Sequence, residues 1–317
     1  MSIFNIVKVE NININIIQAT HDTPFSEVNQ MEEGCHPNKV PNLFCEEKIK
    51  KIPTTSLTAY EYQHHFQHYK DSIAISTTST SDVLKRHKIS THIRAKMVDW
   101  MIEVTNIFHC RLATLFASVN IMDRYFMEEL AILEDDNIHI IGTACMVIAS
   151  KLIDETPILL QDASACICRG KITVIELKKM EHKICQTLKW DIWHPTILEI
   201  IRAVMCELSM KDAKDLESNE TKMLMGSIIK LSEKYAIMSL YELRILHGFS
   251  VEQLANACIY HGMEDMLNVM VLYHAPIMQW MKFVQKDAIR ISKILLSIKS
   301  KLELQGLMNH EKYLFEC

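Results

Sequence analysis

From residue 90 onward, apolar positions recur with the period of a helix. Ile93, Met97, Trp100, Met101, Val104, Ile107 and Phe108 keep the i, i+3, i+4, i+7 spacing that lines one helical face. Leu115, Val119, Met122 and Phe126 repeat it, predicting a second helix over about 112–127. A third, over about 137–152, is apolar nearly all round and carries the small residues Gly142, Ala144 and Ala149. All-round apolarity marks a helix surrounded by others. Pro157 permits a break, a shorter helix follows, and 173–188 places Ile175, Leu177, Met180, Ile184 and Leu188 on a further helix.

The order then repeats. Pro195 suits the first turn of a helix running to Leu208. Glu220 to Ser239 is amphipathic, Ser250 to Asp265 is small and apolar, and Pro276 opens a last helix to about Lys301. Thr143-Ala144-Cys145-Met146 in the first half lines up with Asn256-Ala257-Cys258-Ile259 in the second. The pattern predicts an all-α fold of two five-helix units in tandem. Upstream, Leu57 to Ile75 reads as a helix bearing Tyr60, Tyr62, Phe66 and Tyr69. His64 and His68 have metal-ligand spacing but no third ligand nearby, and are read as a polar face. Asn11 to Ile16 alternates with period two, yet the prolines and polar residues that follow favour a tail without fixed structure.

Composition removes several chemistries. There are 7 Gly and 7 Pro, too few for the many tight hairpins of a sandwich or barrel. The nearest two glycines, Gly248 and Gly262, are 14 positions apart, so neither Gly-rich phosphate loop can form. HExxH is absent, and the 10 cysteines include no CxxC. Thirty-four basic against 39 acidic residues, net −5, argues against a dedicated nucleic-acid binder. The N-terminal residues do not read as a secretory leader, and the longest apolar run, Ile138 to Ser150, is short for a bilayer. The expectation is a soluble intracellular protein with no metal, no cofactor, no membrane partner and no catalytic constellation of its own.

Four ordered segments carry a resemblance. Ile93 to Val104 (IRAKMVDWMIEV), Val119 to Tyr125 (VNIMDRY), Ile138 to Lys151 (IHIIGTACMVIASK) and the pair Lys178-Lys179-Met180-Glu181 with Leu188-Lys189-Trp190-Asp191 resemble the box helices of A- and B-type cyclins. The likeness spans about 57–300 and is denser in the first half. It implies a tail over 1–56, an N-terminal helix and linker over 57–90, a kinase-binding cyclin box over 91–192, a second box over 193–302 and a tail over 303–317.

The resemblance also assigns roles. It implies a regulatory subunit that activates a cyclin-dependent Ser/Thr kinase in cell-cycle control, in nucleus and cytoplasm, without catalysing anything itself. Arg94 and Asp123 become a buried ion pair fixing two helices. Lys151, Glu181 and Leu152 become the grip on the kinase's C-helix. Ile93, Met97, Trp100, Glu103 and His139 become a shallow patch for substrates or inhibitors carrying Arg-x-Leu. Three positions depart from the family: Lys96 stands where it has Ile, Leu152 where it has an aromatic residue, and Ile153 where it has an acid. Residues 1–85 hold neither RxxL nor KEN, the usual destruction signals of mitotic cyclins. Two other readings are a cyclin-fold scaffold for a non-kinase partner and a transcription-type cyclin-fold factor. The second expects a zinc ribbon and a basic face, which the chain lacks.

Overall fold

The computed structural model describes residues 4–7, 16–19, 80–211, 219–267 and 275–304. The chain divides into two units, 1–63 and 64–317. In the first, β1 (Phe4–Val7) pairs antiparallel with β2 (Ile16–Ala19), Phe4 opposite Ala19 and Val7 opposite Ile16. The β-branched content of those residues suits a strand. Of the alternating segment 11–16, only Ile16 falls in a strand, and 11–15 lie outside the described residues. So do the helix expected over 57–75, with His64 and His68, and the tail beyond 304.

The described residues of the second unit form helices and their connections, with no strand among them. A short α1 (Thr80–Arg86) precedes one set of five helices: α2 (Thr91–Ile107), α3 (Leu112–Glu128), α4 (Ile138–Ile153), α5 (Leu160–Asp162, continued by a π turn through Ile167) and α6 (Val174–Thr187). A second set of five follows: α7 (Ile197–Lys211), α8 (Asn219–Leu240), α9 (Leu243–Gly248), α10 (Val251–Leu267) and α11 (Ala275–Leu304). Each set is built round one helix. In the first, every residue of α4 from Ile141 to Ser150 is buried. The stretch 135–153 is the one described segment long and apolar enough to cross a bilayer, and here it serves as the packed centre of the bundle.

Local signals set the helix ends. Ser90 caps α2, its side chain accepting from the Ile93 N–H at 3.1 Å. Thr173 and Glu176 form a reciprocal capping box at the start of α6. The N-terminus of α3 is capped from a distance: Asp154 accepts from the Arg111 N–H and the Thr114 hydroxyl, each at 2.9 Å. At its other end Arg86 donates to the carbonyls of Phe126, Met127 and Glu129 at 2.9–3.1 Å, while the buried His87 ring meets the Phe126 carbonyl at 2.6 Å. A cation on unpaired C-terminal carbonyls is favourable, so α1 is tied to α3 through that helix's own orphan acceptors.

In the second set, α10 approaches α8 closely at Gly262. A Cβ there would lie 2.7 Å from the Ser232 Oγ and 3.0 Å from the Ile228 carbonyl oxygen. Glycine is required by backbone proximity at this crossing.

Candidate functional site

Arg94 on α2 and Asp123 on α3 form a bidentate ion pair of 2.7 and 2.6 Å, the arginine 1% exposed and the aspartate 4%. Burying two charges is costly unless hydrogen bonds saturate them. The remaining guanidinium edge is used as well, donating to the Leu240 carbonyl at 2.9 Å. The pair therefore fixes α2 on α3 and reaches the end of α8. One turn further along α2, Asp99 accepts from the Tyr241 hydroxyl at 2.7 Å.

Lys151, in the last turn of α4, donates to Glu181 in the middle of α6. The lysine side chain is 42% exposed and the glutamate 19%. Cys185 lies beneath: burial and then the Glu181 charge push its thiol up, with Lys151 opposing. Leu152 stands beside the pair, 52% exposed. The structure thus brings together the three residues of the expected grip. Leu159, capping α5, and Ile175, in the first turn of α6, are also exposed apolar side chains next to these elements.

The expected recruitment patch looks different. Met97, Trp100 and Glu103 are 5–6% exposed, and only Ile93 and His139 are partly open. Three of the five expected side chains thus lie mostly beneath the surface. Met97 folds over Gly142, and the Trp100 ring packs on His139 at 4.8 Å between centroids. Burial, aided by Asp99 and opposed by Arg169, raises the Glu103 carboxyl to about 7. Burial and the charges of Lys171 and Arg169 lower His139 to about 4.

Three features escaped the sequence reading. Arg86 and His87 leave no periodic trace, because their partners are backbone carbonyls 39–43 positions away. Ile175 was placed on the apolar stripe with Leu177 and Ile184, yet it is off that stripe by helical rotation and 67% exposed. Arg169 lies in a turn with a left-handed backbone, φ 52°. Among the described residues, no group of three His, Cys, Asp or Glu side chains is placed to hold a metal ion.

The family profile described as "Cyclin, N-terminal domain" matches residues 64–193, the segment holding α1–α6. Those residues belong to the cyclin family. Among curated relatives, the G2/mitotic-specific cyclin-2 of Saccharomyces cerevisiae is 30% identical over 159 residues, covering 50% of this chain and 31% of that protein. Human cyclin-A1 is 29% identical over 151 residues, covering 47% and 32%. The rice cyclin-B2-2 is 25% identical over 302 residues, covering 92% and 67%. At these identities the likeness is a distant one, and the chain spans about a third of the yeast and human proteins' lengths. The cyclin fold is shown independently. A viral cyclin from herpesvirus saimiri superposes with TM-score 0.59 over 76% of this chain and 96% of its own, at 15% identity.

Proposed function

We propose that this chain is the non-catalytic regulatory subunit of a cyclin-dependent Ser/Thr protein kinase, active in cell-cycle control in the nucleus and cytoplasm. The observation that carries the reading is the Lys151–Glu181 pair, held half-exposed next to exposed Leu152, with Leu159 and Ile175 further exposed apolar side chains on α5 and α6. An ion pair this open contributes little to folding, about 0–1 kcal/mol. It is readily exchanged for a partner's main chain, the ammonium donating to a carbonyl and the carboxylate accepting an N–H. The apolar neighbours supply the area that makes such an exchange favourable. The kinase C-helix is the fitting occupant, and holding it inward shifts the kinase population toward the state that positions ATP. Such an interface buries roughly 2,000–5,000 Å².

The test is capture of the intact chain from its native extract, with the bound fraction assayed for histone phosphorylation. A co-purifying kinase that is lost with Glu181→Lys supports the reading. Capture of other proteins with no kinase favours a scaffold role instead.

A further inference from the structure

The patch on α2 and α4 carries a charge arrangement opposite to one that selects a basic motif. Ile93, Lys96, Trp100 and Glu103 share one stripe of α2. At its near end Lys96 is half-buried, in the same neighbourhood as His92 and as Lys301, which pairs with Glu242 at 3.3 Å. At its far end the charges of Arg169 and Lys171 act on Glu103 and His139. Among the described residues neither Lys96 nor Arg169 has an ion-pair partner within 4 Å. Two acids are near: Asp99, which accepts from Tyr241, and Glu103, which is buried and ionises only at about 7. A partner's arginine would find little negative charge here, and a partner's carboxylate would find cations at both ends.

Arg169 is also held in place. Cys168 is buried and its thiol donates to the Thr143 hydroxyl at 3.7 Å, one turn beyond His139 on α4. The Gly170 and Lys171 N–H groups close the turn onto Ser164 and Cys168 at 2.8 and 3.0 Å. Arg169 itself sits at φ 52°, a conformation that costs a non-glycine residue energy and persists only where the surroundings impose it. An exposed cation on a fixed turn loses little freedom when it binds.

We propose that this rim docks an extended acidic peptide segment, one carboxylate meeting Lys96 and a second meeting Arg169 on either side of the Trp100–His139 ring pair. The seven residues from Lys96 to Glu103, the acid on which the Arg169 charge acts, span about 10 Å of helix, which about three residues of extended peptide cover. A pair of acids three positions apart, with small apolar residues between them, matches that rise. The surface is separate from the Lys151–Glu181 pair, twelve residues or about 18 Å along α4 from His139, and the inference stands without kinase binding.

Fluorescence anisotropy on the full chain tests it. One labelled peptide has Glu-Leu-Ala-Glu at its centre, a second replaces both glutamates with arginine, a third carries Arg-x-Leu, and a single-stranded oligonucleotide serves as a further anion. The acidic peptide should bind at least about tenfold tighter than either basic one, and weaken as salt rises. Lys96→Glu with Arg169→Glu should reverse that order while circular dichroism stays unchanged, Arg169 being exposed and Lys96 only half-buried. Lys96→Ile alone should weaken the acidic peptide severalfold. Equal binding, preference for Arg-x-Leu, tighter binding of the oligonucleotide, or no binding of the acidic peptide overturns the proposal.

Discussion

The hydroxyl of Tyr241 donates to Asp99 at 2.7 Å, joining positions 142 apart in sequence and the two five-helix sets to one another. Arg94 does the same one turn away, through the Leu240 carbonyl. The two sets are thus latched at the end of α8 by polar groups that also serve the interior of the first set.

Removing the Tyr241 hydroxyl as Tyr241→Phe should cost about 1–2 kcal/mol, since Asp99 loses one of its hydrogen bonds in a partly buried site. Arg94→Met should cost more, about 3–5 kcal/mol, because Asp123 is left as an uncompensated buried charge. Pairing it with Asp123→Leu should recover much of that loss. Urea denaturation of the three variants checks this, and equal losses for the single and double Arg94 variants would contradict it.

Glu103 and His139 give the fold a pH signature. Glu103 ionises at about 7 when folded against 4.5 unfolded, so the folded state keeps a proton that the unfolded state releases. Its contribution falls as pH rises through that window, on the order of 1–2 kcal/mol once partial solvent screening is allowed for. His139 is lowered from 6.5 to about 4, so the unfolded state binds the extra proton and stability rises with pH between those values. The two trends oppose each other from about pH 4.5 to 6.5. Glu103→Gln should therefore leave a stability that climbs with pH across that range and exceeds wild type at pH 7.5. A flat profile in the variant would refute the assignment.

Gly142 and Gly262 both sit at close helix crossings, but the atoms they face differ. A Cβ at Gly142 meets the thioether end of Met97, which can swing away. At Gly262 it meets the Ile228 carbonyl and the Ser232 backbone nitrogen. Gly262→Ala should cost about 2–3 kcal/mol, within the range for overpacking, and Gly142→Ala about 1 kcal/mol or less. Thermal melts of both variants provide the comparison.

Much of this was legible from residue order. The stripe from Ile93 to Phe108 and the all-round apolar run in α4 fix helix type because burial repeats with the helical period. The Arg94, Asp123, Lys151 and Glu181 assignments came from family resemblance, and the structure brings each couple within bonding reach. What periodicity could not give was depth. Trp100, Met97 and Glu103 lie on a stripe whether that stripe is a groove or a seam, and only the packing of Met97 over Gly142 and of Trp100 on His139 decides it. Long-range caps such as Arg86 on α3 are invisible for a similar reason: the acceptors are backbone groups, which carry no residue signature.

The most direct measurement is the affinity of the purified chain for a purified cyclin-dependent kinase, with phosphorylation of a histone substrate read in parallel. Wild type, Lys151→Glu, Glu181→Lys and the exchanged Lys151→Glu/Glu181→Lys chain are compared. The exchange keeps the internal ion pair, and so the fold, while inverting what the surface offers a partner's main chain. The account expects tight binding and kinase activation by wild type, with at least about tenfold weaker binding by all three variants. Wild-type affinity in the exchanged chain, or no binding and no activation by wild type, would contradict it.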